Sequence, residues 1–128
     1  MPATAMNHFT ILTDDLATTL AFYAELLDLH PGDRPPFTFP GAWLYARGGK
    51  DPILHVIAGR QRRDLVKGVI DHMAFTGRDL GGTLDKLKAR GIEHELRPLP
   101  GSGIWQLFFH DPNNALIELD FDPAERAA

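Results

Sequence analysis

The sequence predicts an α+β fold made of two tandem βαβββ modules. Three observations predict it: an internal repeat, short segments in which apolar and polar residues alternate, and one amphipathic helical stretch early in each half. His8, Asp15, Leu16, Thr19 and Leu20 match His72, Asp79, Leu80, Thr83 and Leu84, each pair 64 residues apart. Gly41 and Trp43 match Gly103 and Trp105 at a spacing of 62, and Asp51-Pro52 matches Asp111-Pro112 at 60. The shrinking offset implies short loop differences between the copies. The 128 residues therefore read as one domain over 1–128, with modules at about 5–59 and 68–121 and a linker at 60–67.

Residues 6–13 alternate, Phe9 and Ile11 against His8 and Thr10, and are expected to form the first strand. Thr13-Asp14 supplies an N-cap, and Leu16, Leu20, Tyr23 and Leu27 then form a helical stripe. Pro31 to Pro36 is a breaker-rich loop, followed by short strands near 37–39, 42–47 and 53–58. Gly59 to Gly68, with Arg60, Arg62, Arg63 and Lys67, reads as a solvated linker. The second copy predicts a strand at 69–76, a helix from about Asp79 to Arg90 with Leu80, Leu84 and Leu87 inward and Gly91 as its cap, and strands near 93–97, 104–110 and 115–121. Asp111-Pro112-Asn113-Asn114 is a turn in which Asn accepts the positive φ of a tight hairpin.

Several classes are excluded. A net charge of −4 argues against a nucleic-acid binder. No apolar run reaches the ~20 residues of a membrane span. Met1 to Asn7 has no signal-peptide pattern, so a cytoplasmic location is expected. The chain has no cysteine, which removes disulfides, thiolate metal sites and a cysteine nucleophile.

Four ionisable residues stand where strand positions are expected: His8, His55, His72 and Glu118. Ile117, Leu119 and Phe121 form one face of the last strand, so Glu118 and Asp120 point the other way. Phe9 and Ile11 oppose His8, and Met73 and Phe75 oppose His72, by the same alternation. A pseudo-twofold between the copies would gather all four groups across one cavity. Three imidazoles and a carboxylate suit a divalent Fe, Zn, Ni, Co or Mn ion. Any one of these histidines alone reads as an ordinary hydrogen-bonded residue; four at matched repeat positions favour a metal site. His30 in a Pro-Gly loop, His94 between Glu93 and Glu95, and His110 beside a turn read as structural or solvated. Trp43, Tyr45, Trp105, Phe108 and Phe109 read mostly as core, with pocket lining as the alternative.

These features resemble the vicinal oxygen chelate superfamily, which includes glyoxalase I, methylmalonyl-CoA epimerase, fosfomycin resistance proteins, extradiol dioxygenases and bleomycin-binding proteins. The resemblance is carried by N-H-F-T-I-L-T-D-D-L (7–16), F-Y-A-E-L-L-D-L (22–29), I-D-H-M-A-F (70–75) and D-P-N-N-A-L-I-E-L (111–119). It implies that the modules curl into a cup of mixed sheet around one divalent metal ion per subunit, often in a homodimer, with a small molecule as substrate. By position His8, His72 and Glu118 match the recurrent ligands, and His55 matches a fourth ligand or, in ring-cleaving members, lies near a non-ligating acid/base histidine. Asn113-Asn114-Ala115 departs from the usual Asp-Gly turn, which touches the hairpin rather than the metal site. The leading expectation is a glyoxalase-like isomerase or lyase in which Glu118 shuttles a proton. The alternatives are an extradiol-type Fe(II) dioxygenase with His55 as acid/base, and a non-enzymatic drug-binding resistance protein, against which the four retained donors argue.

Overall fold

The computed structural model describes residues 2–125 and separates into two compact units, the division falling between Leu65 and Val66. The first contains β1 (Phe9–Leu12), α1 (Leu16–Leu27), β2 (Leu29–Pro31), β3 (Gly41–Ala46) and β4 (Leu54–Ile57). The second repeats the order with β5 (Met73–Thr76), α2 (Leu80–Ala89), β6 (His94–Pro98), β7 (Trp105–His110) and β8 (Leu116–Phe121). The sheets have the same topology, β1-β4-β3-β2 and β5-β8-β7-β6. In each, the first strand pairs parallel with the last and the other pairs are antiparallel. A parallel pair needs a long crossover, and the helix lies within it. These are the two βαβββ modules the repeat predicts.

One face of each sheet is buried. In the first unit Leu44 pairs Leu54 and Ala42 pairs Val56, all buried together with Thr19, Phe22, Tyr23 and Leu26 of α1. In the second unit Leu107, Phe109, Ile117, Leu119 and Phe121 are buried, as are Leu80, Thr83 and Leu87 of α2. Burying each large side chain contributes about 1.5–3 kcal/mol, so these faces hold the modules together. The opposite faces carry Trp43 and His55 in one sheet, and Gln106, Phe108, Glu118 and Asp120 in the other.

Several local expectations shift. No strand forms at 37–39; β2 is Leu29–Pro31, where paired residues precede the Pro35-Pro36 block. His30 is therefore a strand residue opposite Tyr45 rather than a loop residue. β1 and β5 begin at Phe9 and Met73, so His8 and His72 each sit one residue ahead of a strand, and 69–72 is not strand. Asp15, not Thr13-Asp14, caps α1 by accepting from the Thr18 amide, while Thr13 is buried and shares a 2.8 Å hydroxyl contact with Thr19. The buried side of α1 is Thr19, Phe22, Tyr23 and Leu26, because this helix is apolar almost all round and its larger rings turn inward. Asp79 caps α2, Gly91 follows it at φ 67°, and Asn114 takes φ 71° in the last hairpin, as expected.

Candidate metal centre

The four candidate donors come as two pairs, one in each module. In the first, the His8 and His55 rings stack at 3.7 Å between centroids and 13° between planes. Trp43, paired with His55 across the β3–β4 ladder, stacks on His55 at 4.2 Å and 14°. In the second, His72 Nε2 lies 3.0 Å from Glu118 Oε1. Glu118 is only 6% exposed, and its Oε2 accepts from Gln106 Nε2 at 3.1 Å. The strand register makes the two pairs equivalent: Thr10 pairs His55 where Ala74 pairs Glu118.

The two leading histidines are oriented in the same way. His8 Nδ1 is 2.7 Å from Asn7 Oδ1, and His72 Nδ1 is 2.9 Å from Asp71 Oδ2. Both are side-chain acceptors on the preceding residue, again 64 positions apart. An Nδ1–H donated there would leave Nε2 as the nitrogen for a ligand, and His72 Nε2 points at Glu118 Oε1. The bond from His72 holds the Asp71 carboxyl below its usual value.

Charge differs between the pairs. Burial first, then the charges of His8 and Arg34, holds the His55 imidazole below its usual value, so it is neutral at pH 7. Burial, then the hydrogen bond and negative charge of Glu118, pushes Asp120 up to about 6. One Asp120 oxygen, Oδ1, is buried without a hydrogen-bond partner. Two adjacent carboxyls on one sheet face resist ionising together.

The donor chemistry, imidazole with a desolvated carboxylate, fits a divalent ion of the Zn, Fe, Mn, Co or Ni type. The geometry is partial. Among the described residues no three of His, Asp and Glu gather as an ion requires. Stacked imidazoles do not aim in-plane lone pairs at one point, so His8 and His55 do not share an ion in this arrangement.

Strand alternation in 105–110 places Gln106 on the Glu118 face, a signal the sequence carries outside the four ionisable candidates. The repeat match of Trp43 to Trp105 is out of register. Trp43 pairs His55 and Phe108 pairs Glu118, so Phe108 is the counterpart of Trp43; Trp105 pairs Phe121 on the buried side. Phe108 meets His72 edge-on at 6.2 Å and carries Arg97 over its ring at 4.4 Å. His30 bonds Asp28 at 2.6 Å, His94 Nδ1 lies 2.9 Å from the Ile92 carbonyl oxygen, and His110 is exposed at the end of β7.

The Glyoxalase/Bleomycin resistance protein/Dioxygenase superfamily matches residues 5–119. The chain belongs to that superfamily. It is 30% identical over 124 residues to Glyoxylase I 4 of Arabidopsis thaliana, covering 91% of this chain and 70% of that protein. It also superposes on a mutant of FosX, a genomically encoded fosfomycin resistance protein from Listeria monocytogenes, solved with Mn(II) and 1S,2S-dihydroxypropylphosphonic acid. That match has a TM-score of 0.74 and 20% identity, over 94% of this chain and 93% of that one. A glyoxylase/bleomycin resistance protein/dioxygenase domain from Frankia sp. EAN1pec gives 0.73 at 21% identity, over 94% and 98%. At these identities the structures establish a shared superfamily fold. Among the described residues no helix is long and apolar enough to cross a membrane.

Proposed function

We propose that the chain is a divalent-metal-dependent enzyme that grips two adjacent oxygens of a small substrate and runs a glyoxalase-like isomerase or lyase reaction. The observation that carries this reading is the matched placement of donors: equivalent positions in the two modules bear His8 with His55, and His72 with Glu118. The Glyoxylase I relative and the Mn(II) in the FosX structure support it. In this reading the four residues hold one Fe, Zn, Ni, Co or Mn ion per subunit of a cytoplasmic homodimer.

When bound, the ion supplies a Lewis acid for negative charge developing on the substrate oxygens. The chain's residues do the rest. Asn7 and Asp71 set the histidine rings, and Trp43 braces His55. Gln106 holds Glu118 Oε2 and His72 faces Oε1, which fixes the carboxylate that takes a proton from the substrate and returns it. Asp120, pushed up to about 6 by burial and by Glu118, stands next to that carboxylate on the same sheet face.

Metal analysis of the purified protein tests this. One ion per subunit is expected, and His72→Ala and Glu118→Gln should both lose it in a chelator competition while the circular dichroism stays unchanged. Variants that hold metal as tightly as the parent overturn the assignment.

The His8–His55 stack favours one second reading, an extradiol-type dioxygenase. There His8, His72 and Glu118 are the ligands of Fe(II) and neutral His55 moves the proton. His55→Ala separates the two. It loses metal if His55 is a ligand, and His55→Gln or His55→Glu then restores much of the binding. It keeps iron and slows turnover by about 10²–10⁴-fold if His55 is an acid/base.

A further inference from the structure

The face of the second sheet that bears Glu118 also bears a cation that neither reading above uses. Arg97 of β6 pairs Gln106 of β7, and Gln106 pairs Asp120 of β8, so these three stand in one row across the sheet. The next row on the same face is Glu95, Phe108 and Glu118. Two strand spacings, about 10 Å at the backbone, separate β6 from β8. The Arg97 side chain leans into that interval. Its guanidinium carbon lies 4.4 Å from the Phe108 ring centroid, and Phe108 meets His72 edge-on at 6.2 Å.

This guanidinium is open to a ligand. The Arg97 side chain is 54% exposed, and its ion pair with Glu95 is long, 3.4 Å from Nη1 to Oε1. Among the described residues it has no other hydrogen-bond partner, so Nε and Nη2 are free. The Phe108 ring restrains the cation without consuming a donor, because a ring face attracts charge but presents no acceptor atom. The two other carboxylates of the face are engaged within it: Glu118 by His72 and Gln106, and Asp120 by Glu118. A guanidinium keeps its charge at every physiological pH, and its free N–H edge takes a carboxylate as a fork.

We infer that Arg97 is a specificity-determining residue of this site, taking a carboxylate that the substrate carries besides its two adjacent oxygens. The inference rests on the metal-site reading above. It gives a binding role to an arginine otherwise explained as a surface cation lying on a ring.

3,4-Dihydroxybenzoate and 3,4-dihydroxybenzamide share one vicinal oxygen pair and one planar substituent, and differ in the charge of that substituent. Calorimetric titration of the metal-loaded protein with both tests the inference. The parent should bind the benzoate about tenfold more tightly, the low end for a charge-assisted bond because Arg97 is partly exposed. Arg97→Gln should abolish that preference while leaving metal content and benzamide affinity unchanged. Arg97→Thr, a residue at home in strands, should do the same and serves if the glutamine variant does not fold. An unchanged ratio in the folded variant overturns the inference, and so does a loss shared equally by both probes, which is what a merely structural role produces. A parent that binds the two equally, or binds neither, overturns it as well. Metal-stripped parent separates the inference from the reading beneath it. Benzamide bound equally well without metal sinks the metal reading, while the probe ratio still reports on Arg97. Benzamide bound only with metal, at a ratio indifferent to Arg97, sinks the Arg97 role alone.

Discussion

His8 and His72 owe their orientation to the residue just before each of them. Asn7 and Asp71 take the Nδ1 side, which for His72 leaves Nε2 toward Glu118, but only Asp71 brings a carboxylate. A carboxylate behind a ligating imidazole fixes the tautomer and raises its basicity. Asp71→Asn should therefore weaken metal binding by about tenfold, the low end of the usual range for such partners because Asp71 is exposed. Equilibrium dialysis against a metal buffer measures it, and unchanged affinity would show that Asp71 only decorates the surface. The face to which Glu118 belongs was legible from alternation in 115–121 alone. Its bonds to His72 and Gln106 were not, because they join residues brought together by two different strand pairings.

At the scale of elements, α2 contains two adjacent glycines with opposite consequences. Gly81 has open space where a methyl group would stand and an ordinary helical backbone, so Gly81→Ala should stabilise the fold by about 0.4–1 kcal/mol. At Gly82 the same methyl would run into the Asp79 carboxylate that caps the helix, so Gly82→Ala should lower the urea midpoint instead. Equal effects from the two would contradict the cap geometry. The turn from α1 into β2 is held by charge. Arg47 bonds both Asp28 oxygens, at 2.8 and 3.0 Å, while His30 takes one of them at 2.6 Å. Arg47 foremost, then His30, lowers the Asp28 carboxyl to about 2. A carboxyl depressed in the folded state stabilises the fold above its unfolded value near 3.8, and that stability fades as pH falls toward 2. Arg47→Ala should raise the Asp28 pKa and flatten this acid-side loss, as read by denaturant midpoints at about pH 2.5 and pH 5, which bracket that window. Because Asp28 and Arg47 are largely solvent-facing, the effect should be small.

At the scale of the whole molecule, β1 and β2 are the end strands of one sheet, and β5 and β6 those of the other. The segment joining the units exposes Val66, Val69 and Ile70 at 78%, 103% and 62%. Bare apolar residues favour association, and they support the proposed homodimer. Sedimentation at tens of micromolar, the ordinary range for specific association, should give about twice the 14.2 kDa chain mass. A single species at the chain mass would count against the dimer.

The sequence by itself determined the two βαβββ modules and the sheet face of Glu118, and the resemblance of particular stretches pointed to the superfamily. Those features are written in local periods, two for strands and 3.6 for helices, and in a repeat that any alignment of the chain on itself reveals. The tertiary structure alone decided which residues became partners. It placed β2 at Leu29–Pro31, made Phe108 rather than Trp105 the counterpart of Trp43, set Gln106 on Glu118, stacked His8 on His55, and laid Arg97 over Phe108. Register is the physical reason. With a period of two, an odd shift such as the three residues between Trp105 and Phe108 swaps the buried face for the opposite one, and only the long-range ladder fixes which residue lies where.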